Sequence, residues 1–284
     1  MTLSAKTQAR LTREMDRLQA QGRPFAVATI VRTIDATSAK PGSKALILED
    51  GTLAEGWVGG GCARSAVSRA AKEALSQGAP QFVSLRPEEL LDAEGVAAGD
   101  EVEGIRFARN GCPSKGSMDI FVEPVLPLPR LVICGAGPVA LALTDLSARF
   151  DLHRTLCTPG QTPEPAPDVD AHLDSFAFDT GAAQRFVVVA TQGKGDEAAL
   201  RAALSSGASY IAFVGSRRKY AALSKRLAAD GIDADLLASV VAPAGLDIKA
   251  ITPDEIALSI LAQLVAHRRA GDRPDDQTQE GSRG

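Results

Sequence analysis

The stretch Leu131-Val-Ile-Cys-Gly-Ala-Gly-Pro-Val-Ala140 decides the fold of the second half of the chain. A short apolar run leads into the pattern G-x-G-x-x-A, with Gly135, Gly137 and Ala140 at its fixed positions. The first glycine permits a tight turn, the second lets a phosphate approach the backbone, and the small third residue lets a helix pack close to the strand. Pro138 suits the first turn of that helix. The stretch therefore predicts the opening strand, turn and helix of a Rossmann-like unit.

Apolar strands and helical patterns alternate after this motif, which predicts a parallel sheet. The predicted strands are 131–134, 153–157, 186–190 and 210–214, and the predicted helices are 138–150, 197–204 and 217–230. The run Thr252-Pro-Asp-Glu255 is a capping box that predicts the start of a last helix. We assign residues 127–270 to a Rossmann-like domain, and the polar residues 271–284 to a disordered tail.

The first half of the chain has a mixed pattern that ends at a proline-rich connector, residues 124–129. Leu11, Met15 and Leu18 share one face of a predicted helix. The remaining predicted elements are strands at 25–34, 44–49, 52–57, 81–85 and 118–123, a helix from about 63 to 77, and an acidic loop through Asp100. We therefore expect residues 1–126 to form an α+β domain, and the whole chain to be of the α/β class.

A thiol follows three glycines in the stretch Trp57-Val-Gly-Gly-Gly-Cys-Ala-Arg-Ser-Ala-Val67. Gly60 and Gly61 let the backbone approach a ligand, and Cys62 falls near the first turn of the predicted helix. The positive end of a helix favours a thiolate and lowers a cysteine pKa below its ordinary ~8.5. The stretch predicts a reactive or ligand-holding sulfur beside an anion site. The alternative is a glycine-rich turn with a small buried cysteine.

The end of the second Rossmann strand lacks the residue that an NAD site uses. An acidic residue about 20 positions after the motif normally holds the ribose hydroxyls, whereas this chain has Cys157, Thr158 and Pro159 there. The missing acid counts against NAD(P) and leaves another phosphate-bearing ligand, a nucleotide, or an empty structural unit. A further candidate anion site is Gly215 and Ser216, which precede three basic residues. The alternative, and the commoner case, is a set of solvated basic residues that start a surface helix.

Composition excludes several classes of protein. The 284 residues are 45% hydrophobic and 23% charged, with a net charge of −4, so no basic surface for nucleic acid is expected. No apolar run approaches the ~20 residues of a membrane span, and the N-terminus lacks the apolar region of a signal peptide. Four widely spaced cysteines suit a reducing cytoplasm. No catalytic triad, Walker loop or metal-ligand spacing is present, so we name no catalytic residue and no metal ligand.

Several motifs together resemble the XdhC/CoxI family, whose members help to mature molybdenum hydroxylases such as xanthine dehydrogenase and carbon monoxide dehydrogenase. The motifs are Val58-Gly-Gly-Gly-Cys62, Gly111-Cys-Pro-Ser114, Met118-Asp-Ile-Phe-Val-Glu-Pro124, Gly135-Ala-Gly-Pro-Val-Ala140, Tyr210-Ile-Ala-Phe-Val-Gly-Ser-Arg-Arg-Lys219, Ala242-Pro-Ala-Gly-Leu-Asp-Ile248 and Thr252-Pro-Asp-Glu-Ile-Ala-Leu-Ser-Ile260. The resemblance covers about residues 10 to 268, and the Cys-Pro-Ser form of the second motif looks closest to the proteins encoded with carbon monoxide dehydrogenase.

The resemblance implies that the chain binds molybdenum cofactor transiently, supports its sulfuration and delivers it to a hydroxylase client. The candidate cofactor-binding residues are Gly60, Gly61, Cys62, Gly135, Gly137, Pro138, Gly215 and Ser216. A cysteine desulfurase partner and a homodimer are further expectations. Arg64, Gln192, Lys194 and Thr158 stand where the family often has acids or histidines, which favours a carrier over an independent catalyst. The alternatives are an NAD(P)-dependent oxidoreductase that uses the Rossmann domain, and a module that binds the client without cofactor.

Overall fold

A computed structural model describes residues 5–35, 37–112, 115–178 and 184–270 of the chain. The predicted tail, residues 271–284, lies outside the described residues. The chain divides into two units, Met1–Pro127 and Leu128–Gly284. Each unit has its own sheet, and each is described by itself.

The first unit is built on a mixed seven-stranded sheet. Its elements in chain order are α1 (Ala5–Ala20), β1 (Phe25–Ile34), β2 (Lys44–Leu48), β3 (Leu53–Gly56), α2 (Gly61–Gln77), β4 (Gln81–Arg86), α3 (Glu88–Glu94), β5 (Glu101–Val102), β6 (Ile105–Arg109) and β7 (Ser117–Val125). The strand order is β3-β2-β1-β7-β4-β6-β5. All neighbouring pairs are antiparallel except β4 and β6, which run parallel.

Alternate side chains of β1 point to opposite faces of the sheet, and a different helix packs on each face. Ala26, Ala28 and Ile30 lie in one core with α2, whereas Phe25 and Val27 lie in a second core with α1. The buried side of α2 consists mainly of alanines, which let the helix lie close to the strands. The start of α2 is thereby held against the middle of the sheet.

The predicted acidic loop through Asp100 is wrong, because helix α3 and part of a hairpin occupy this segment. Glu88 and Glu89 occupy the first turn of α3, and Gly95 caps its end in the left-handed conformation. These are ordinary helix signals, but α3 is short and buries only Leu91, so its apolar periodicity is weak. Strand β6 was also missed, although it pairs with β4 over its full length.

The predicted connector begins too early, because β7 continues through Pro124 to Val125. Pro124 pairs with Ala26 on β1, beyond the last residue of β7 that pairs with β4. A proline lacks the N–H of a ladder, so it is tolerated where one side of the strand has no neighbour.

The second unit is a Rossmann-like sheet of five parallel strands, which confirms the predicted fold class. Its elements are β8 (Arg130–Cys134), α4 (Pro138–Ser147), β9 (His153–Cys157), β10 (Ala171–Leu173), β11 (Arg185–Val189), α5 (Asp196–Ser205), β12 (Tyr210–Phe213), α6 (Arg217–Ala229), α7 (Ala234–Ser239) and α8 (Pro253–Arg269). The strand order is β10-β9-β8-β11-β12, with α4 and α8 on one face and α5, α6 and α7 on the other.

The order of strands in the sheet reverses between β8 and β11. The strands β9 and β10 are added on one side of β8, and the strands β11 and β12 are added on the other. Open α/β sheets bind ligands at the carboxyl ends of the strands at such a point. The loops that follow β8 and β11 therefore form the edge where a ligand is expected in this unit.

Several element ends differ from the prediction. Helix α4 ends at Ser147 rather than Phe150, and α6 ends at Ala229 with Asp230 as its cap. The short elements β10 and α7 were missed, since three and six residues carry little periodicity. The capping box at Thr252 is confirmed, with both of its reciprocal hydrogen bonds formed.

Candidate functional site

The predicted position of Cys62 at a helix N-terminus is confirmed. Helix α2 begins at Gly61, two residues earlier than predicted, so Cys62 is its second residue. Gly60 is the N-cap and provides no side-chain hydrogen bond to the helix. The first N–H groups of α2 therefore carry no capping side chain, and the positive end of the helix is directed at the space around the thiol. The ionisation of Cys62 stays a prediction.

The three glycines before Cys62 have different structural roles. Gly59 has φ of +116°, and a Cβ on it would lie 3.2 Å from both the Ala63 Cβ and the Ser38 Oγ. A side chain is therefore excluded at Gly59 by the fold itself. A Cβ on Gly60 or Gly61 would meet no atom within 4 Å. Open space thus lies over the backbone of these two residues, as a site for an approaching ligand requires.

A second thiol lies beside Cys62. Cys112 follows β6, and a Cβ built on its neighbour Gly111 would lie 3.8 Å from the Cys62 Sγ. Both thiols are half-buried. Partial burial raises the pKa of Cys112, and Cys62 raises it further through its charge and a side-chain hydrogen bond. Sequence reasoning left this proximity open, and the fold places the two sulfurs together.

Asn110 fixes the loop that carries Cys112, and sequence reasoning missed it. Its side chain is buried, its Nδ2 donates to the Gly116 carbonyl at 2.5 Å, and its Oδ1 accepts from the Cys112 N–H at 3.1 Å. The two bonds join both ends of the loop. An asparagine directly before Gly-Cys is a signal for such a turn, because its side chain often bonds to the backbone two residues on. Pro113 and Ser114 of the predicted motif lie outside the described residues.

Arg64 is the cation nearest in sequence to Cys62. Its Nε donates to the Gly59 carbonyl at 3.3 Å, and its guanidinium lies over the Trp57 ring at 4.9 Å. Both Arg64 and Trp57 are exposed. The start of α2 therefore combines a positive helix end, an exposed cation and two sulfur atoms.

The Rossmann motif is built as its glycines predict. Gly135 has φ of +126°, and a Cβ there would lie 2.4 Å from the Ala190 carbonyl oxygen, so only glycine permits this turn. Gly137 is the N-cap of α4 and Pro138 is its first residue. Ala140 is fully buried in the core between α4 and the strands, as expected for close helix packing.

Gln192 covers the glycine that would face a phosphate. A Cβ on Gly137 would lie 2.5 Å from the Gln192 side-chain carbonyl carbon. Gln192 follows β11 and has φ of +52°, a conformation that costs a non-glycine residue about 1–2 kcal/mol. Any nucleotide that approaches Gly137 must displace this amide.

Thr158 occupies the carboxyl end of β9, where an NAD site has an acid. Thr158 is fully buried, and its hydroxyl donates to the Gln161 carbonyl at 2.8 Å and lies 2.6 Å from the His172 Nε2. Asp174, which sequence reasoning missed, lies in this region and accepts a hydrogen bond from the Gly160 N–H at 2.6 Å. One oxygen of this carboxylate is thus engaged by the backbone.

Gly215 and Ser216 lie at the carboxyl end of β12, where their groups are used by the fold. Ser216 caps α6, and its Oγ accepts from the Lys219 N–H at 3.2 Å. A Cβ on Gly215 would lie 2.5 Å from the Phe213 ring, so this glycine allows close packing. Lys219 pairs with the Asp196 carboxylate at 2.6 Å. Arg217 and Arg218 remain as exposed cations of this loop.

Asp196 is a buried carboxylate that organises the same edge of the sheet. It accepts a hydrogen bond from the Thr191 hydroxyl, and another from the Gly193 N–H at 2.9 Å. Burial acts to raise its pKa, but the bonds from Lys219, Thr191 and Gly193 outweigh that effect and lower it. Asp196 therefore stays ionised and holds the loop that carries Gln192.

The predicted site residues thus fall into two groups in different units. Gly60, Gly61 and Cys62 lie at the start of α2, and the other five lie at the carboxyl ends of β8 and β12. Within the described ranges, no three His, Cys, Asp or Glu side chains are grouped so that they could hold a metal ion. In that same part of the chain, no helix combines the length and apolar character of a membrane span.

Comparisons with known proteins agree with the division of the chain. Residues 18–86 match the XdhC and CoxI family, and residues 131–264 match the XdhC Rossmann domain. The Escherichia coli (strain K12) protein "Uncharacterized protein YqeB" is 28% identical over 268 residues, which cover 89% of this chain. The chain spans 45% of the length of that curated relative.

A solved structure has a similar fold. The Bacillus halodurans protein titled as a xanthine dehydrogenase superposes with a TM-score of 0.59 and is 23% identical in sequence. The match covers 94% of this chain and 68% of the other.

These findings define the class as an α/β protein with a mixed-sheet unit followed by a Rossmann unit. The chain belongs to the XdhC/CoxI family.

Proposed function

We propose that the chain binds molybdenum cofactor as cargo at the start of α2 and hands it to a molybdenum hydroxylase. One observation carries this proposal: two half-buried thiols, Cys62 and Cys112, meet at an uncapped helix N-terminus beneath open space over Gly60 and Gly61. The family supplies the role in hydroxylase maturation.

The donor set suits the metal end of the cofactor. Oxo groups on molybdenum carry negative charge and accept hydrogen bonds, and the first N–H groups of α2 are donors at the positive end of a helix. The cofactor binds its molybdenum through sulfur, and Cys62 offers a further sulfur donor in the first turn of α2. The exposed Arg64 adds positive charge near the same helix end.

The finer parts of the proposal concern the client and the setting. We propose that the client is a carbon monoxide dehydrogenase, that a cysteine desulfurase supplies sulfur to the bound cofactor, and that both steps occur in the cytoplasm. A homodimer would bring two such sites to one client. The Cys-Pro-Ser sequence at 112–114 supports this choice of client.

A direct binding experiment tests the proposal. Reduced protein is mixed anaerobically with cofactor released from a purified molybdenum enzyme, and the retained fraction is isolated by gel filtration. Molybdenum is measured by mass spectrometry and pterin by fluorescence after oxidation. We expect equimolar retention by the native chain and a loss of at least tenfold in Cys62→Ser. Cys157→Ala, which alters a buried thiol outside the site, is the matched control and should retain cofactor.

Three outcomes would contradict the proposal in different ways. The same protein is also mixed with a hydroxylase that lacks its cofactor. If the chain retains no cofactor but still binds this apo-hydroxylase, it is a client-binding module only. If Cys62→Ser retains cofactor as the native chain does, the site lies elsewhere. If apo-xanthine dehydrogenase is activated and apo-carbon monoxide dehydrogenase is not, the assignment of the client is wrong.

The alternative of an NAD(P)-dependent oxidoreductase has the Rossmann sheet in its favour but not the details of the site. Gln192 lies over Gly137, and Thr158 takes the place of the acid at the end of β9. Titration with NADH, followed by cofactor fluorescence, discriminates between the two functions. Binding of NADH at micromolar concentration would favour the oxidoreductase.

A further inference from the structure

The four cysteines lie in two pairs that differ in exposure. Cys62 and Cys112 are half-buried, and Gly111, the neighbour of Cys112, lies beside the Cys62 Sγ in the first unit. Cys134 and Cys157 lie opposite each other on the adjacent strands β8 and β9, and both are fully buried. Both pairs consist of thiols, but only one of them is partly open to solvent. The buried pair therefore serves as the reference for the reactivity of the exposed pair.

We propose that Cys62 and Cys112 form a redox-active dithiol site, which a small-molecule disulfide such as oxidised glutathione converts reversibly into an intramolecular disulfide. The proposal rests on the contact between the two thiols and not on the binding of any cofactor. Disulfides in reducing compartments are usually transient and redox-sensing, which suits a pair that is reachable from solvent.

The fold brings the two cysteines within reach of one another. A Cβ built on Gly111, the residue before Cys112, would lie 3.8 Å from the Cys62 Sγ, so the loop passes directly beside that sulfur. Asn110 holds the ends of this loop, so Cys112 is fixed on a turn rather than on a long free segment. A disulfide requires this kind of pre-set approach of two side chains.

The reaction is balanced in two exchange steps. The Cys62 thiolate attacks one sulfur of the small disulfide, whose S–S bond breaks and releases one thiolate. Cys112 then loses its proton and attacks the Cys62 sulfur, which forms the Cys62–Cys112 bond and releases the second thiolate. The protons from the two cysteines pass to the two released thiolates. The protein is oxidised by two electrons, and the small disulfide is reduced to two thiols.

Cys62 is the sulfur that reacts first. It is partly open to solvent in the first turn of α2, whereas burial and the neighbouring Cys62 raise the pKa of the Cys112 thiol. Attack on Cys62 by Cys112 then requires only a local movement, because the loop that carries Cys112 passes beside the Cys62 Sγ.

The buried pair should not react. Cys134 and Cys157 are shielded from any oxidant by the helices on both faces of the sheet. The hydrogen bond with Cys157, burial and the charge of Cys157 together raise the pKa of Cys134 well above its ordinary value. Both thiols are therefore inaccessible in the folded chain.

Thiol counting on the folded full chain tests the proposal. Reduced protein is equilibrated in glutathione buffers of increasing oxidised fraction, quenched with acid, alkylated and analysed by intact mass and peptide mapping. We expect two of the four thiols to be lost together, with a cross-linked peptide that joins residues 62 and 112. A Cys134→Ala, Cys157→Ala double variant should behave identically, and excess dithiol reductant should restore both thiols.

Single variants separate an intramolecular disulfide from other products. Cys112→Ser should stop at a stable mixed disulfide of glutathione on Cys62, because the resolving thiol is gone. The proposal is overturned if all four thiols survive in the most oxidising buffer, if the cross-link joins residues 134 and 157, or if the disulfide links two chains on a non-reducing gel. Circular dichroism of each variant establishes that it is folded before its thiols are counted.

Discussion

The Gln192 side chain lies over Gly137, so closely that a single added Cβ would come within 2.5 Å of it. Rossmann units that bind dinucleotides bring the pyrophosphate to this second glycine. In this chain the neutral amide of Gln192 occupies the approach to Gly137. The backbone of Gln192 itself is in the left-handed conformation. The sheet therefore retains the geometry of a nucleotide site while its entrance is closed by the chain itself.

Replacing this amide should open the nucleotide edge without loss of stability. Gln192→Gly relieves about 1–2 kcal/mol of left-handed strain, and glycine loses roughly 0.5–1 kcal/mol in backbone entropy. We therefore expect the free energy of unfolding to change by less than about 1 kcal/mol, and NADH or ADP to bind at least tenfold more tightly. Denaturant unfolding and NADH fluorescence measure the two effects.

A double-mutant cycle provides the control for that prediction. Gly137→Ala should cost less in the Gln192→Gly background than in the native chain, by less than about 1 kcal/mol, because its Cβ displaces only the end of the flexible Gln192 side chain. Additive costs for the two changes would mean that Gln192 does not cover Gly137 in solution.

The two glycines at positions 59 and 61 should respond in opposite ways to alanine. Gly59→Ala forces a side chain into a φ of +116° and against Ala63, and should lower the stability of the first unit by about 1–3 kcal/mol. Gly61→Ala lies in a helix with open space around it and should raise stability by up to about 1 kcal/mol. Its Cβ would nevertheless occupy the space proposed for cargo, so cofactor retention should fall. Retention at the native level in Gly61→Ala would argue against this approach to the backbone.

Asn110 should control the dithiol through the loop that carries Cys112. Asn110→Ala removes both loop hydrogen bonds, which are worth about 1 kcal/mol each, so the equilibrium constant for the Cys62–Cys112 disulfide should fall about thirtyfold. Asn110→Asp keeps an acceptor for the Cys112 N–H. Its equilibrium constant for the disulfide should therefore lie between those of the native chain and Asn110→Ala. Glutathione titration of the three proteins gives the constants. Identical constants would show that the loop is held by other contacts.

Acid stability of the second unit should depend on Asp196. Its pKa in the folded chain is lowered, so its contribution is present above the ordinary pKa of 3.8 and is lost as the pH falls through the lowered value. Asp196→Asn should cost about 1–3 kcal/mol at neutral pH and remove this part of the acid dependence. Lys219→Gln, which alters only the partly exposed partner, should cost less. The pH dependence of urea unfolding checks all three proteins, and an unchanged acid slope in Asp196→Asn would be contrary to this assignment.

Features with local causes could be predicted from the sequence. The turn at Gly135 and the cap at Thr252 depend on residues within a few positions of each other, so their patterns determine them. Cys62 also falls in the first helical turn as expected, because the glycine run and the alanine-rich pattern mark the start of α2.

Features that depend on strand pairing could not be predicted from the same patterns. Cys112 meets Cys62 only because the loop between β6 and β7 returns to the start of α2, and β6 itself was missed. The cover of Gly137 by Gln192 depends on β8 and β11 being neighbours, which the order of strands along the chain does not specify. Helix α3 was missed because a short helix with one buried residue has almost no apolar period.

The most direct test of the account is molybdenum K-edge X-ray absorption on cofactor bound to the reduced chain. If the Cys62 sulfur holds the metal, the bound cofactor shows one more sulfur neighbour than free cofactor, and this neighbour is absent from the cofactor that Cys62→Ser still binds at raised protein concentration. An identical sulfur count in free cofactor and in the native complex would contradict the central claim.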